Sequence, residues 1–107
     1  MTSQCKAILQ FHEGDLLPYL YIDWEGSGSI VGYSFALHVR REDGSRISRT
    51  AVVDDDGTVS GNGAFHFEWQ AGDLVRGRHT AEVEMTNPAA KNETWSGIVL
   101  DVQGDLQ

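Results

Sequence analysis

The segment spanning residues 64–85, AFHFEWQAGDLVRGRHTAEVEM, restricts the possible folds more than any other part of this 107-residue chain. Phe65, Phe67 and Trp69 alternate with Ala64, His66 and Glu68. After a polar turn, Ala81, Val83 and Met85 alternate with Thr80, Glu82 and Glu84. Successive side chains of an extended strand point to opposite faces, so a period of two marks strands with one buried and one wet face. The link at 70–77 carries Gly72-Asp73 and Gly77, residue types that tolerate tight turns. Two antiparallel strands are the expectation.

The rest of the chain repeats the pattern. Residues 6–11 form a short mixed strand with Ile8 as its expected core residue, and Glu13-Gly14-Asp15 then turns the chain. In 19–24, Leu20, Ile22 and Trp24 share one face and Tyr19, Tyr21 and Asp23 the other. Pro18 sits at the start, where a missing amide proton costs least. In 34–40, Phe35, Leu37 and Val39 point inward and Ala36, His38 and Arg40 outward, and Asp43-Gly44 signals a hairpin to a return strand at 46–53. Residues 54–63 read as a polar loop and 87–93, with Pro88, as a turn. In the last strand, 94–102, Ile98, Leu100 and Val102 are in phase, Trp95 is not, and Gly97 is where a bulge could shift it. No helical pattern interrupts about seven candidate strands, which points to an all-β antiparallel sandwich. The length fits a single domain over residues 1–107.

A formal charge of −8 argues against a nucleic-acid partner, because phosphate binding needs clustered Lys and Arg, and against an anionic membrane surface. No apolar run approaches the roughly 20 residues of a membrane helix. The first residues lack the basic stretch and apolar core of a secretory signal, so folding in a reducing cytoplasm is the expectation. Cys5, the sole cysteine, precludes an intrachain disulfide and reads as a buried or tolerated thiol.

Few constellations carry chemistry. Asp54-Asp55-Asp56-Gly57 offers calcium its oxygen ligands but lacks the EF-hand spacing, and the competing reading is an Asx-type turn closed by Gly57. His12, His38, His66 and His79 are not paired at zinc-site spacings; His38 and His66 fall on outward strand faces. The Gly-Ser stretch at 25–29 lacks the Lys and following helix of a phosphate cradle. Gly26-Ser27-Gly28 does not fit a nucleophile elbow, and the carboxylate pairs Asp23/Glu25 and Glu82/Glu84 are single solvated faces. The Asn92-Glu93-Thr94 sequon carries little meaning without a signal peptide. Catalytic, metal-binding and cofactor-binding residues are therefore none. The outward aromatics Tyr19 and Tyr21, joined by Trp95, are the remaining feature, and such residues favour interfaces and also stack on sugars.

Read whole, the chain resembles the N-terminal immunoglobulin-like domain of tailed-phage upper baseplate proteins. The matching residues are FHEGDLLPYL at 11–20, VGYSFALHVR at 31–40, FEWQAGD at 67–73 and GRHTAEVE at 77–84. The resemblance implies an immunoglobulin-like sandwich and a virion structural protein, assembled in the bacterial host cytoplasm. Its place would be in a baseplate, a tail or a capsid decoration, bound to other phage structural proteins in a symmetric multi-copy assembly. Under that reading Tyr19, Tyr21 and Trp95, with Arg76 and Arg78 in the long turn, are the candidate contact residues. The alternative is a carbohydrate-binding sandwich that uses the same aromatics for host-surface attachment.

Overall fold

Which residues of an alternating strand face inward depends on the partner each strand finds, and that partnership is long-range here. The computed structural model describes residues 2–24 and 28–104, with side chains from residue 8 onward. Among the described residues there are eight strands: β1 (Thr2–His12), β2 (Leu20–Trp24), β3 (Ser34–Arg40), β4 (Arg46–Thr50), β5 (Val52–Asp55), β6 (Gly63–Phe67), β7 (Gly77–Thr86) and β8 (Asn92–Gln103). They form two packed sheets, β1-β8-β7-β3-β4 and β2-β6-β5. The arrangement is a β-sandwich, with the first strand on the edge of the larger layer.

Two features depart from the expectation of seven antiparallel strands. β1 pairs with β8 in parallel, while the other pairings are antiparallel. The segment expected as one strand at 46–53 divides at Ala51, whose amide donates to the Phe35 carbonyl; β4 stays in the five-stranded sheet and β5 joins the other. β5 continues through Asp55, so the expected loop starts later.

The parallel pairing also reverses the expected phase of β1. Leu9 and Phe11 lie opposite Leu100 and Val102, whose side chains enter the core, so Ile8 points outward and is 62% exposed. The side chain of Cys5 and residues 25–27 of the Gly-Ser loop lie outside the described residues.

The core holds the predicted inward residues of β2, β3, β6, β7 and β8. Phe35 and Phe65 stack across the two sheets with ring centroids 4.0 Å apart, and Phe67 meets Phe65 edge-on. Full burial of one such side chain stabilises the fold by about 1.5–3 kcal/mol. Trp69 closes the adjoining end: it packs edge-on to Phe11 and donates its indole N–H to the Pro18 carbonyl at 3.0 Å. The expected bulge is present. Ala81 faces Ile98 while Val83 faces Trp95, so β8 has one extra residue at Ser96-Gly97, where Gly97 adopts a φ of +92°.

Polar groups fix the connection between β6 and β7. Asp73, expected only as a turn residue, is buried; it accepts a bidentate bond from the Arg49 guanidinium (Nε at 2.8 Å, and Nη2) and the Gln70 amide at 2.8 Å. His79, near the start of β7, is also buried. Its Nε2–H donates to the Val75 carbonyl at 2.7 Å, and its Nδ1 accepts the Glu42 amide at 3.0 Å.

Candidate functional site

The outer face of the three-stranded sheet gathers what the sequence suggested was exposed. Tyr21 of β2 lies opposite His66 of β6, and Val52 of β5 lies on the other side of His66, so one row crosses the whole sheet. Tyr19, just before β2, stacks on the His66 ring with centroids 5.3 Å apart and planes 8° from parallel. Tyr21 leans on the same ring at 5.1 Å, and the two tyrosines are 6.4 Å apart. Tyr21 remains 63% exposed, with Val52 and Leu17 also open to solvent nearby in sequence and register.

His66 was expected on an outward strand face, as an exposed or interface histidine. It is on the outward face, but its neighbours cover it to 7% exposure. Two carboxylates bracket it: Nδ1 lies 2.8 Å from Asp54 Oδ2 and Nε2 lies 2.9 Å from Glu68 Oε2. A neutral imidazole has only one N–H, so only the imidazolium donates to both. The Asp54 carboxylate, and after it that of Glu68, accordingly holds the His66 pKa above its ordinary value against the pull of desolvation. In its protonated form the ring stacked on Tyr19 is a planar cation on an aromatic face, with both N–H groups donated to the carboxylates.

The acidic run does not act as one unit. Asp54 goes to His66, Asp55 Oδ1 accepts the Gly57 amide, and Asp56 Oδ1 accepts the amide and hydroxyl of Thr58. The last two contacts are Asx-type turns. The Thr58 hydroxyl, then its amide, holds Asp56 below the usual carboxylate range. Among the described residues no group of His, Cys, Asp and Glu converges to hold a metal.

The five expected contact residues separate into three places. Tyr19 and Tyr21 belong to the face just described. Trp95 is half-buried, packed edge-on to Trp24 at 4.7 Å, and borders an apolar cleft of about 240 Å³ between the sheets with Leu9, Leu20, Tyr21 and Ile22. Its expected exposure is corrected: the bulge at Gly97 swings it towards the core. Arg78 lies in β7 rather than in a turn. It and Arg76 line a depression with Glu42 and Asp101 at the end of the other sheet, so neither reaches the tyrosines.

Asp54, Glu68 and Val52 were missed. Glu68 is two residues from His66 and thus shares its face, a signal available in the sequence. Asp54 joins through β5 pairing, which no local pattern discloses. In comparison with known proteins, the sequence matches no protein-family model and no curated protein.

Proposed function

We propose that this chain is a non-enzymatic docking module of a tailed-phage virion, joined to other phage structural proteins through the outer face of its three-stranded sheet. The observation that carries the docking reading is the Tyr19–His66–Tyr21 cluster, rimmed by Asp54 and Glu68. Stacking and two charged hydrogen bonds hold these rings in place before any partner arrives, so little side-chain entropy remains to be lost on binding. A central aromatic anchor within a polar rim is the usual anatomy of an interface hot spot. The virion setting comes from the family resemblance of residues 11–20, 31–40, 67–73 and 77–84.

Counting copies of this chain by mass spectrometry of purified particles tests the proposal, with a Tyr19→Ala/Tyr21→Ala chain alongside. The expected result is a fixed copy number per particle that the double variant loses. Absence of the wild-type chain from particles overturns the virion assignment, and undiminished incorporation of the variant overturns the assigned face.

A carbohydrate-binding role is the second reading, favoured by an exposed Tyr21 ring next to carboxylates that could accept sugar hydroxyls. Binding on a glycan array that Tyr21→Ala abolishes would support it over protein docking.

A further inference from the structure

The opposite outer face of the sandwich has an electrostatic character that the net charge of −8 conceals. Arg40 of β3 and Arg46 of β4 sit directly opposite each other on the five-stranded sheet, both exposed. Like charges in that position repel. Neither guanidinium hydrogen-bonds or pairs with any described residue. They border a depression of about 290 Å³ with His38, Thr80, Glu82 and Ser96, beside the β8 bulge. Including Glu82, three carboxylates are on this face. Glu84 is held by His38 at 3.3 Å, Asp101 lies opposite Arg78, and Glu82 lines the far side of the depression. Among the described residues, Arg40 and Arg46 are left as a cationic pair with no partner.

The three-stranded face is complementary to it. Tyr21 stands exposed there, with Asp54 and Glu68 beside it and Asp23 further along β2. Planar guanidinium groups bind carboxylates through paired charge-assisted bonds and stack on tyrosine rings.

We infer that the occupant of the three-stranded face is a second copy of this chain, docking its Arg40–Arg46 pair against Tyr21 and the acidic rim. The two faces lie on opposite sides of the sandwich. The contact is therefore head-to-tail: it leaves one face of each kind open and propagates into a ring or filament instead of closing on a two-fold axis. Copies of charge −8 repel at long range, but at physiological ionic strength that repulsion is screened beyond about 8 Å, and the local complementarity decides. The inference rests on the reading of the three-stranded face as a docking surface and adds its occupant.

Two variants test it. Arg40→Glu gives Arg46 an opposite-charge neighbour across the strand pair, so the fold gains a contact while the cationic pair disappears. Tyr21→Arg places a positive charge on the other face. Analytical ultracentrifugation of the wild type up to about 1 mM, a range suited to weak contacts, should show a mass that keeps rising with concentration. Each variant alone should lose about tenfold or more in association constant. Mixed together they should form a one-to-one dimer and stop, because each retains the face that the other lacks. Circular dichroism melts confirm that both variants fold.

A wild type that stays monomeric, a dimer that closes, or a mixture that fails to pair overturns the head-to-tail contact. If Tyr19→Ala/Tyr21→Ala chains are nevertheless lost from particles, the docking face stands with a different partner. If they are incorporated normally, that face fails as well.

Discussion

His66 ties stability to pH in a direction that its surroundings determine. Its folded pKa is raised, chiefly by Asp54 and next by Glu68. The stabilisation from these contacts is therefore complete below the unfolded-state value, about 6.5 for histidine, and disappears as pH rises through the higher folded-state value. The Asp54 and Glu68 side chains are 39% and 49% exposed, so each ion pair is discounted towards the surface range of about 0.2–1 kcal/mol. Together they contribute about 1 kcal/mol, or roughly 4–8 °C in Tm for a domain near this size. The measurement is Tm from pH 5.5 upward for the wild type and for Asp54→Asn/Glu68→Gln. The wild type should start higher, and its advantage should vanish on the alkaline side. In parallel, the His66 ring resonance should titrate at lower pH in the double variant. Parallel Tm curves with an unmoved titration midpoint would refute the bracketed imidazolium.

Asp73→Ala leaves the Arg49 guanidinium without its carboxylate, with only the Ser48 carbonyl still accepting from it, and the Gln70 amide without its acceptor. Removing one member of a buried pair costs about 3–5 kcal/mol, reduced here to about 2–3 because Arg49 keeps 23% exposure and can turn to water. Urea unfolding should show this, and a double-mutant cycle with Arg49→Met should give a coupling of at least about 1 kcal/mol; a coupling near zero removes the pair as the anchor of β4. Two turn glycines should part company. Gly57 and Gly44 both have positive φ, but a Cβ at Gly57 would lie 2.2 Å from the Gly28 carbonyl oxygen, whereas at Gly44 it meets nothing within 4 Å. Gly57→Ala should therefore cost more than Gly44→Ala, whose penalty is the backbone strain of about 1–2 kcal/mol alone; equal melting temperatures would show that the loop simply moves aside.

The hairpin from β3 to β4 was legible because two local signals agree: alternation through Phe35, Leu37 and Val39, and the Asp43-Gly44 turn. Trp95 shows a partial success. The sequence located the Gly97 bulge but not which way it would swing the ring. In β1, Ile8 and Leu9 are adjacent and equally apolar, so parity was undetermined until Leu9 met Leu100 in a parallel pairing 91 residues away along the chain. The break at Ala51 was invisible for a similar reason, since a run of Ala51-Val52-Val53 has no breaker and only the second sheet pulls it away. At the candidate site, parity put Tyr19, Tyr21 and His66 on the outward faces of their own strands, and only the pairing of β2 with β6 makes these one face. Parity could not disclose that the tyrosines fold over the histidine, or that a β5 carboxylate completes the bracket.

The interior explains why an outward histidine can be held so firmly. Antibody domains tie their two sheets with a disulfide packed against a tryptophan. With Cys5 as its only cysteine, this chain has no such tie. Phe35 and Phe65 stack across the gap instead, and Trp24 meets Phe35 edge-on. Phe65 and Phe67 flank His66 within β6, and both are fully buried. Their packing fixes the rotation of β6 about its axis, which leaves His66 one direction to point: outward, between the tyrosines that β2 and the segment before it supply. The aromatic core and the aromatic face are thus the two sides of one strand, and the site gains its rigidity from residues that never reach the surface.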